Sequence, residues 1–316
     1  MGGNLAQHCN RIETALRGSG AARSALVASW QRSAALHRLD PAERREPERL
    51  SDTELARARD RLGSLVVAAQ GSLDRLYSAV GGAGCCVLLA DRNGVPVERR
   101  GAAADDPVFR DWGLWTGTVW SEEREGTNGI GTCLVEERAL TIHRDQHFHG
   151  RNAGLSCTTA PVFDHEGRLA GALDVSSARS DLNEAIVALI AVAVNDAARR
   201  IEADAFRLAF PAARIVLAPT PDNALNALLA VDADDCVIGA TRLARTVLGI
   251  SAADLDAPRP ATGFLGGGEG ASLEDLRQSA VNRALAQASG NVSAAARALG
   301  ISRATLHRRL ARERTH

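Results

Sequence analysis

The chain has 316 residues, of which 45% are apolar and 24% are charged, and its formal net charge is −1. This length allows two or three domains with buried cores, and the balanced charge excludes a chain that is polycationic as a whole. Any affinity for nucleic acid must therefore be local. Six cysteines without CxxC spacing favour reduced thiols in a cytoplasm over a disulfide scaffold.

The sequence predicts neither a membrane span nor an export signal. Its longest apolar run, AIVALIAVAV at 185–194, is too short to cross a bilayer. The N-terminus also lacks the basic and apolar start of a signal peptide. We therefore expect a cytoplasmic protein with no membrane partner.

Residues 1–63 are predicted to form a helical segment. Apolar residues recur at helical spacing in the stretch AARSALVASWQRSAALHRL. After two turns marked by proline, a second helix is predicted to begin at the capping box formed by Ser51 and Glu54.

From Cys85 onwards the apolar period changes to that of β-strands. The stretch CCVLLAD, an Asn-Gly turn and VPVERRG predict a hairpin, while ALTIHR, CTTAPVFD and RLAGALDVSS predict three further strands. A long helix is predicted at 181–203. Strands that form hairpins between helices predict an α+β fold with an antiparallel sheet, and we assign this sensor-like domain to 64–205.

Two weaker segments follow the predicted sensor. Residues 206–262 predict a strand, an Asp-rich turn, a strand and a helix, which is about half a domain. Residues 263–272 are predicted to be a Gly-rich linker.

The C-terminal region, 273–316, concentrates basic charge. It holds eight arginines against three acidic residues, whereas the whole chain is slightly acidic. A protein that contacts phosphates at one end requires such a local excess.

The same region predicts three helices, at about 273–288, 292–299 and 303–312, in the arrangement of a helix-turn-helix. Gly300 suits the left-handed conformation of a sharp turn between the second and third helices. Leu306 and Leu310 fix the inward face of the third helix, so that Arg303 is placed to meet guanine edges. The residues predicted to contact DNA are Asn291, Ser293, Ser302, Arg303, Thr305, His307, Arg308 and Arg309. The alternative interpretation is an Ala-rich hairpin whose arginine face is only solvated.

The stretch GNVSAAARALGISRATLHRRL resembles the Fis-type helix-turn-helix that ends many bacterial sigma-54-dependent activators. This resemblance implies that Ser302 and Arg303 read bases and that the domain is dimeric. The stretches EGTNGIGT, CTTAP and LDVSS resemble the GAF domain of the acetoin-catabolism-regulator type of activator. SWQRS fits the opening helix of that family, and 206–262 resembles a truncated form of its PAS module.

Activators of this type carry an ATPase between the sensor and the DNA-binding domain, and this chain lacks it. The phosphate loop of such an ATPase needs a lysine, and the chain contains none. The roughly 70 residues between the two regions are also too few for that domain. We therefore expect a regulator that acts by repression, through RNA polymerase of another kind, or through another regulator.

The resemblance to GAF domains implies that a small-molecule effector binds between the sheet and the helices that cross it. Four of the eleven aromatic residues lie within 109–120, which favours a lined cavity, although these residues can equally form the sensor's own core. The residues predicted to contact the effector are Trp115, Trp120, Asn128, Leu134, His143, Phe148, Cys157 and Asp174.

The sequence does not indicate a metal site, a cofactor site or a catalytic site. His143, His147 and His149 fall in a strand and loop, which lacks the helical geometry of an i, i+4 metal pair. No Ser-His-Asp or paired-carboxylate arrangement suggests catalysis. We predict a transcriptional regulator that is not an enzyme and forms a homodimer on double-stranded DNA.

Two alternatives stay open at this point. The first is a thiol-responsive GAF protein, either a redox sensor or a methionine-sulfoxide-reductase-like enzyme, that uses Cys133 and Cys157 and is fused to a DNA-binding tail. The second is an architectural DNA-binding protein with a vestigial sensor.

Overall fold

The computed structural model describes residues 2–18, 20, 24–220, 224, 226–256, 259–264, 281, 284–285, 288 and 291–307. It divides into two compact units. The first comprises Met1–Asp164 and Arg168–Ala205, and the second comprises His165–Gly167 and Phe206–His316. Both units contain helices and an antiparallel sheet, so the predicted α+β class is confirmed.

The first unit begins with two helices that cover part of the sensor. Helix α1 spans Gly2–Arg17 and α2 spans Ala25–Gln31, which continues into a π-helical turn at Arg32–Leu36. Trp30 is buried in a cluster with Ile12 and Phe148. The N-terminal helices therefore bury their apolar faces against the sensor.

Helix α3 (Asp52–Leu62) begins at the predicted capping box. The Ser51 hydroxyl accepts a hydrogen bond from the Glu54 backbone N–H at 3.4 Å, and the Glu54 carboxylate accepts one from the Ser51 backbone N–H at 2.9 Å. Helix α4 (Ser64–Val80) follows after a turn at Gly63.

A five-stranded antiparallel sheet forms the centre of the first unit. Its spatial order is β2-β1-β5-β4-β3, and its strands correspond to the predicted ones. The strands are β1 (Cys85–Asp91), β2 (Pro96–Arg100), β3 (Leu140–His143), β4 (Ser156–Phe163) and β5 (Leu169–Ser177). Because side chains alternate along each strand, the sheet has two distinct faces.

One face of the sheet is apolar and carries the main core. Val87 and Leu89 of β1 and Val175 of β5 lie in one cluster with residues of α3, α4 and helix α8 (Glu184–Ala209). Helix α8 begins and ends slightly later than predicted. The Asn183 side chain accepts from the Ile186 N–H at 3.0 Å near its start, and Pro211 lies just beyond its end.

The other face of the sheet is covered by short elements. These are α5 (Asp106–Asp111), α6 (Glu122–Glu125) and α7 (Gly129–Glu136). Phe109, Leu114 and Trp120 lie in a buried cluster with Ile130 of α7. The aromatic residues between 109 and 120 therefore contribute mainly to the sensor's own core, which was the alternative interpretation.

The second unit contains a small antiparallel sheet in the order β6-β7-β8-β9. The predicted strand, Asp-rich turn, strand and helix correspond to β7, β8 and α9. Leu229, Val237 and Ala244 share a small core. The elements are β6 (Arg214–Leu217), β7 (Leu228–Val231), β8 (Cys236–Ala240), α9 (Arg242–Leu248), α10 (Ala252–Asp256) and β9 (Arg259–Pro260).

Near the C-terminus, the structure describes helix α11 (Val292–Ala298) and helical residues 303–307. Of the predicted first helix at 273–288, only 281, 284–285 and 288 are described, and most of the predicted linker at 263–272 lies outside the described residues. No helix in the described part of the chain is long and apolar enough to cross a bilayer.

Candidate sensor and DNA-binding sites

The predicted sharp turn of the helix-turn-helix lies between α11 and residues 303–307. The Asn291 Oδ1 atom accepts hydrogen bonds from the backbone N–H groups of Ser293 and Ala294, so Asn291 caps α11. Gly300 has φ +64°, a conformation that favours glycine. The Ser302 hydroxyl then accepts from the Thr305 N–H at 3.1 Å and caps the next helical turn.

One side of residues 303–307 is buried and the other is exposed. Leu306 lies in a small core with Ala295 and Ala296 of α11. Arg303 and His307 are exposed on the remaining surface and are neighbours at i, i+4 spacing. The start of this helical segment therefore presents a basic side chain to solvent, which is what contact with a DNA groove requires.

The other residues predicted to contact DNA differ in their surroundings. Ser302 is exposed, whereas Ser293 and Thr305 are half-buried. The Thr305 and Ser302 hydroxyls are 2.9 Å apart, so both side chains help to begin the helical segment. Arg308 and Arg309 lie outside the described residues.

The eight residues predicted to contact an effector do not form one site. Trp120, Leu134 and Cys157 share the buried cluster on the α7 face of the sheet, and Asn128 and Asp174 adjoin it. Phe148 is buried under the N-terminal helices. Trp115 is stacked between two arginine side chains, and His143 lies on β3 with its Nδ1 atom 2.9 Å from the Ser156 hydroxyl.

Asp174 is a fully buried carboxyl group in the middle of the α7 face. Its Oδ1 atom accepts a hydrogen bond from the Thr159 hydroxyl at 2.5 Å, and its Oδ2 atom accepts one from the Ser176 hydroxyl at 2.6 Å. Burial raises the pKa of Asp174 to about 6, although the two hydroxyls oppose this shift. The face therefore contains a polar group that proton binding can neutralise near neutral pH.

The start of α7 lies directly on strands β4 and β5. The Asn128 side chain caps α7 by accepting from the Gly131 N–H at 2.8 Å, and it also donates to the Gly126 carbonyl. A Cβ atom at Gly129 would lie 2.6 Å from the Cβ of Cys157 and 3.0 Å from Oδ1 of Asp174. The glycines of EGTNGIGT thus serve a turn and a close helix start.

The cysteines on this face are buried and protonated. Burial strongly raises the thiol pKa values of Cys86, Cys133 and Cys157, and the Cys157 sulfur lies 3.1 Å from the Ser176 hydroxyl oxygen. Reactive cysteines need lowered pKa values and access to solvent. The surroundings of these thiols therefore disfavour the thiol-responsive alternative.

A buried polar network that the sequence does not predict joins the N-terminal helices to the sensor. The Glu122 carboxylate is buried and accepts hydrogen bonds from Arg32 at 2.6 Å and 2.9 Å and from the Ser29 hydroxyl at 2.8 Å. The Ser29 hydroxyl is also 2.7 Å from that of Thr127. Ser29 and Arg32 belong to the stretch SWQRS and Thr127 to EGTNGIGT, the two stretches that carry the family resemblance, while Glu122 lies three residues before EGTNGIGT.

No group of three or more His, Cys, Asp or Glu side chains in the described ranges is arranged to hold a metal ion. His147 and His149 are fully buried, and burial lowers the pKa of each to about 4. Both imidazole rings are therefore uncharged at pH 7. The Nδ1 atom of each ring lies close to a backbone carbonyl oxygen.

Two family models match the chain. Residues 64–201 match the GAF domain, and residues 272–312 match the bacterial regulatory protein, Fis family. The intervening stretch, 202–271, contains no lysine and thus no ATPase phosphate loop of the GxxxxGK[ST] type.

Several regulators are similar to one half of the chain. The acetoin catabolism regulatory protein of Cupriavidus necator is 38% identical over 152 residues, and the propane 2-monooxygenase operon transcriptional activator MimR of Mycolicibacterium smegmatis is 30% identical over 158 residues. The acetoin dehydrogenase operon transcriptional activator AcoR of Bacillus subtilis is 27% identical over 154 residues. These matches cover 48%, 49% and 49% of this chain but only 23%, 26% and 25% of the respective relatives.

The fold is also similar to that in the crystal structure of the E. coli DhaR(N)–DhaL complex, with a TM-score of 0.52 and 16% identity over 75% of this chain and 80% of that one. The comparisons confirm the resemblance stated from the sequence motifs. The chain therefore combines a GAF domain with a Fis-type helix-turn-helix and is related to transcriptional regulators of the acetoin-catabolism type.

Proposed function

We propose that the protein is a sequence-specific DNA-binding transcriptional regulator that senses a small-molecule effector through its GAF domain and acts without an ATPase of its own. The observation that carries this proposal is the exposed pair Arg303 and His307 beside the turn at Gly300, opposite the buried Leu306. A basic surface at the start of the third predicted helix, which is the second helix of the helix-turn-helix pair, suits the major groove. A solvated Ala-rich hairpin needs no such arrangement of caps, turn and charge.

In this proposal the start of the third helix reads bases and its surroundings hold phosphates. Arg303 donates to a guanine, and Ser302 lies next to it. The phosphates on either side of that base are proposed to be contacted by Asn291, Ser293, Thr305, His307, Arg308 and Arg309. The Asn291 amide nitrogen suits this role because only the amide oxygen serves as the cap of α11.

The effector is proposed to contact the α7 face of the sheet, through Trp120, Asn128, Leu134, Cys157 and Asp174. This face is closely packed around Gly129, so effector binding has to move α7 away from β4 and β5. Such a movement changes the packing of a helix on the sheet, which is a suitable first step in a switch. Trp115, His143 and Phe148 lie elsewhere and are proposed to act only indirectly.

The active form is proposed to be a cytoplasmic homodimer without enzymatic activity. Helix α8 exposes Leu189 and Val192, whose relative exposures are 71% and 61%, and helix α4 exposes Val67. Apolar residues gathered on helices that already cover a core favour association between copies. Without an ATPase, regulation has to proceed through repression, RNA polymerase of another kind or a further regulator.

The proposal is tested by genome-wide binding of the full-length protein, followed by footprinting of the enriched fragments and expression profiling of a deletion strain. We expect protection of discrete palindromic sites and altered transcription of the adjacent genes. Uniform, sequence-independent coverage would instead favour the architectural alternative. The substrate of the neighbouring operon then identifies compounds to test as the effector.

A further inference from the structure

A basic cleft of about 970 Å³ lies in the first unit between α1 and the turns that flank β3. It lies apart from the α7 face to which the effector is assigned above. Four arginines line it, from three separate segments, together with a single acidic residue, Asp145. The arginines are Arg11 of α1, Arg44 of the following loop, and Arg144 and Arg151 of the β3–β4 connection.

Carboxylates neutralise only two of these four cations within the described residues. Arg11 is paired with Asp145, and Arg151 is paired with Glu125 at 2.5 Å. Arg144 donates instead to the neutral carbonyl oxygen of Ser180, and Arg44 is exposed at the edge of the cleft. The cleft therefore keeps an excess of positive charge that a bound anion would neutralise.

A buried histidine adds an unused hydrogen-bonding atom to the same cleft. His8 lines the cleft, although only 6% of its surface is exposed. Its Nε2 atom donates to the Phe148 carbonyl oxygen at 3.1 Å, which leaves Nδ1 buried and without a partner in the described structure. Buried polar atoms of native proteins are nearly always paired, so this nitrogen indicates a partner that binds in the cleft.

We propose that this cleft binds a small dianion, a phosphate monoester or a dicarboxylate. Guanidinium groups bind both classes through paired N–H···O bonds. Arg44 and Arg144 are the primary ligands because neither is committed to a carboxylate. His143, at the wall of the cleft, has a pKa that burial and the neighbouring Arg144 lower, and a bound anion raises it again.

The bound anion joins the N-terminal segment to the sensor. Its ligands come from α1, from the loop after the π-helical turn and from the β3–β4 connection. A ligand held by all three segments has to strengthen the docking of α1, since it binds the docked state more tightly than the undocked one. This site goes beyond the proposed DNA-binding function and does not depend on it.

Isothermal titration calorimetry of the full-length protein, without DNA, tests the proposal. The probes are sodium phosphate and disodium succinate, each measured against sodium chloride at equal ionic strength. We expect saturable binding of at least one probe, and the stronger of the two identifies the ligand as a phosphoryl compound or a dicarboxylate. In the variant R44A/R144A, binding weakens by roughly tenfold or more, because two charge-assisted hydrogen bonds are lost.

The matched control is Arg92→Ala, which removes an exposed arginine outside the cleft and should leave binding unchanged. Arg44→Ala alone provides a milder variant, because the Arg44 side chain is exposed and lies in a loop. Circular dichroism establishes that each variant is folded. Heats equal to those of chloride, or equal affinities for the wild type and folded R44A/R144A, would overturn the proposal.

Discussion

Asp174 is a buried carboxyl group that destabilises the fold when it is ionised and that can change its protonation state. Its carboxyl group is fully buried, and both of its hydrogen-bond donors, Thr159 and Ser176, are neutral. A buried carboxylate without a cationic partner is costly, which is why burial raises its pKa to about 6. The residue is therefore suited to exchange a proton, or a hydrogen-bond partner, in the proposed movement of α7.

Replacing Asp174 by asparagine should remove a pH dependence of stability. Because the folded-state pKa is raised, the stabilising contribution is complete below the unfolded value of 3.8 and is lost as the pH rises through about 6. From about pH 4 to about pH 7, the free energy of unfolding of the wild type should fall relative to that of D174N by on the order of 3 kcal/mol. Urea unfolding at the two pH values measures this difference.

Thr159→Val serves as the control for this prediction. It removes one hydroxyl donor but keeps the titrating carboxyl, so the variant should retain the fall in stability. Parallel pH profiles for the wild type and D174N would show that Asp174 does not titrate in this range.

Arg303 is the residue that we expect to determine which base sequence is bound. Arg303→Ala should lower the affinity for the native operator by about 1–3 kcal/mol and should relax the preference at one base pair, since a bidentate contact to guanine is lost. Fluorescence anisotropy with the operator and with single-base variants measures both effects.

The control for Arg303 is Arg297→Ala, an exposed arginine at the end of α11. Its loss should affect all duplexes equally. If R303A also weakens every duplex by the same factor, the assignment of Arg303 to base reading is wrong.

At the scale of elements, α7 and the N-terminal helices meet the sheet in different ways. Helix α7 begins so close to β4 and β5 that only glycine fits at its first position. Helix α2 and the following π-helical turn instead supply the polar contacts of Ser29 and Arg32 to the buried Glu122. Both contacts involve the stretch EGTNGIGT or the residues just before it, so the two elements share one region of the sensor.

Gly129→Ala should destabilise the sensor by about 1–3 kcal/mol, the usual cost of overpacking a filled core. The added methyl group would lie 2.6 Å from the Cys157 Cβ and 2.7 Å from the Thr159 hydroxyl, both on the strand beneath α7. Urea unfolding followed by tryptophan fluorescence measures the change.

Gly82→Ala offers a matched control because a Cβ at Gly82 has no neighbouring atom within 4 Å among the described residues. This variant should be as stable as the wild type. Equal stabilities of G129A and G82A would mean that α7 has room to move away from the sheet at little cost.

At the scale of the whole molecule, the GAF domain and the residues predicted to contact DNA belong to two different units. The stretch between the two family matches contains a small antiparallel sheet and two short helices, where activators of the resembled type have an ATPase. Since 202–271 contains no lysine for an ATPase phosphate loop, the proposed effector binding would act through helix packing or through the proposed association of two copies.

Leu189→Glu should dissociate the proposed homodimer. The residue is 71% exposed on α8 beside Val192, and a buried charge at an interface has a large desolvation cost. Sedimentation equilibrium of the full-length protein should show a dimer for the wild type and a monomer, or a dimer weakened by at least tenfold, for the variant.

Val135→Glu is the control, since Val135 is an exposed apolar residue on α7 and should not affect association. A monomeric wild type, or an L189E variant that associates as tightly as the wild type, would contradict the assignment of α8 to the interface.

The sequence by itself determined the local structure and the general type of protein. Alternating apolar residues specify the strands, Ser51 and Glu54 specify a helix start, and Gly300 specifies a turn, because each depends on neighbours a few residues away. The absence of lysine removes the phosphate loop without any structural information. The PAS-like character of 206–262 and the domain boundaries stay predictions.

Only the tertiary structure decided which distant residues share a site. Residues that the sequence assigned to one effector site lie in separate surroundings, because the order of the strands and the alternation of faces distribute them. The Arg32–Glu122 ion pair and the cleft that His8 shares with Arg151 each join segments about 90 residues apart or more. Such proximity depends on topology and on the docking of the N-terminal helices, which no local pattern of residues encodes.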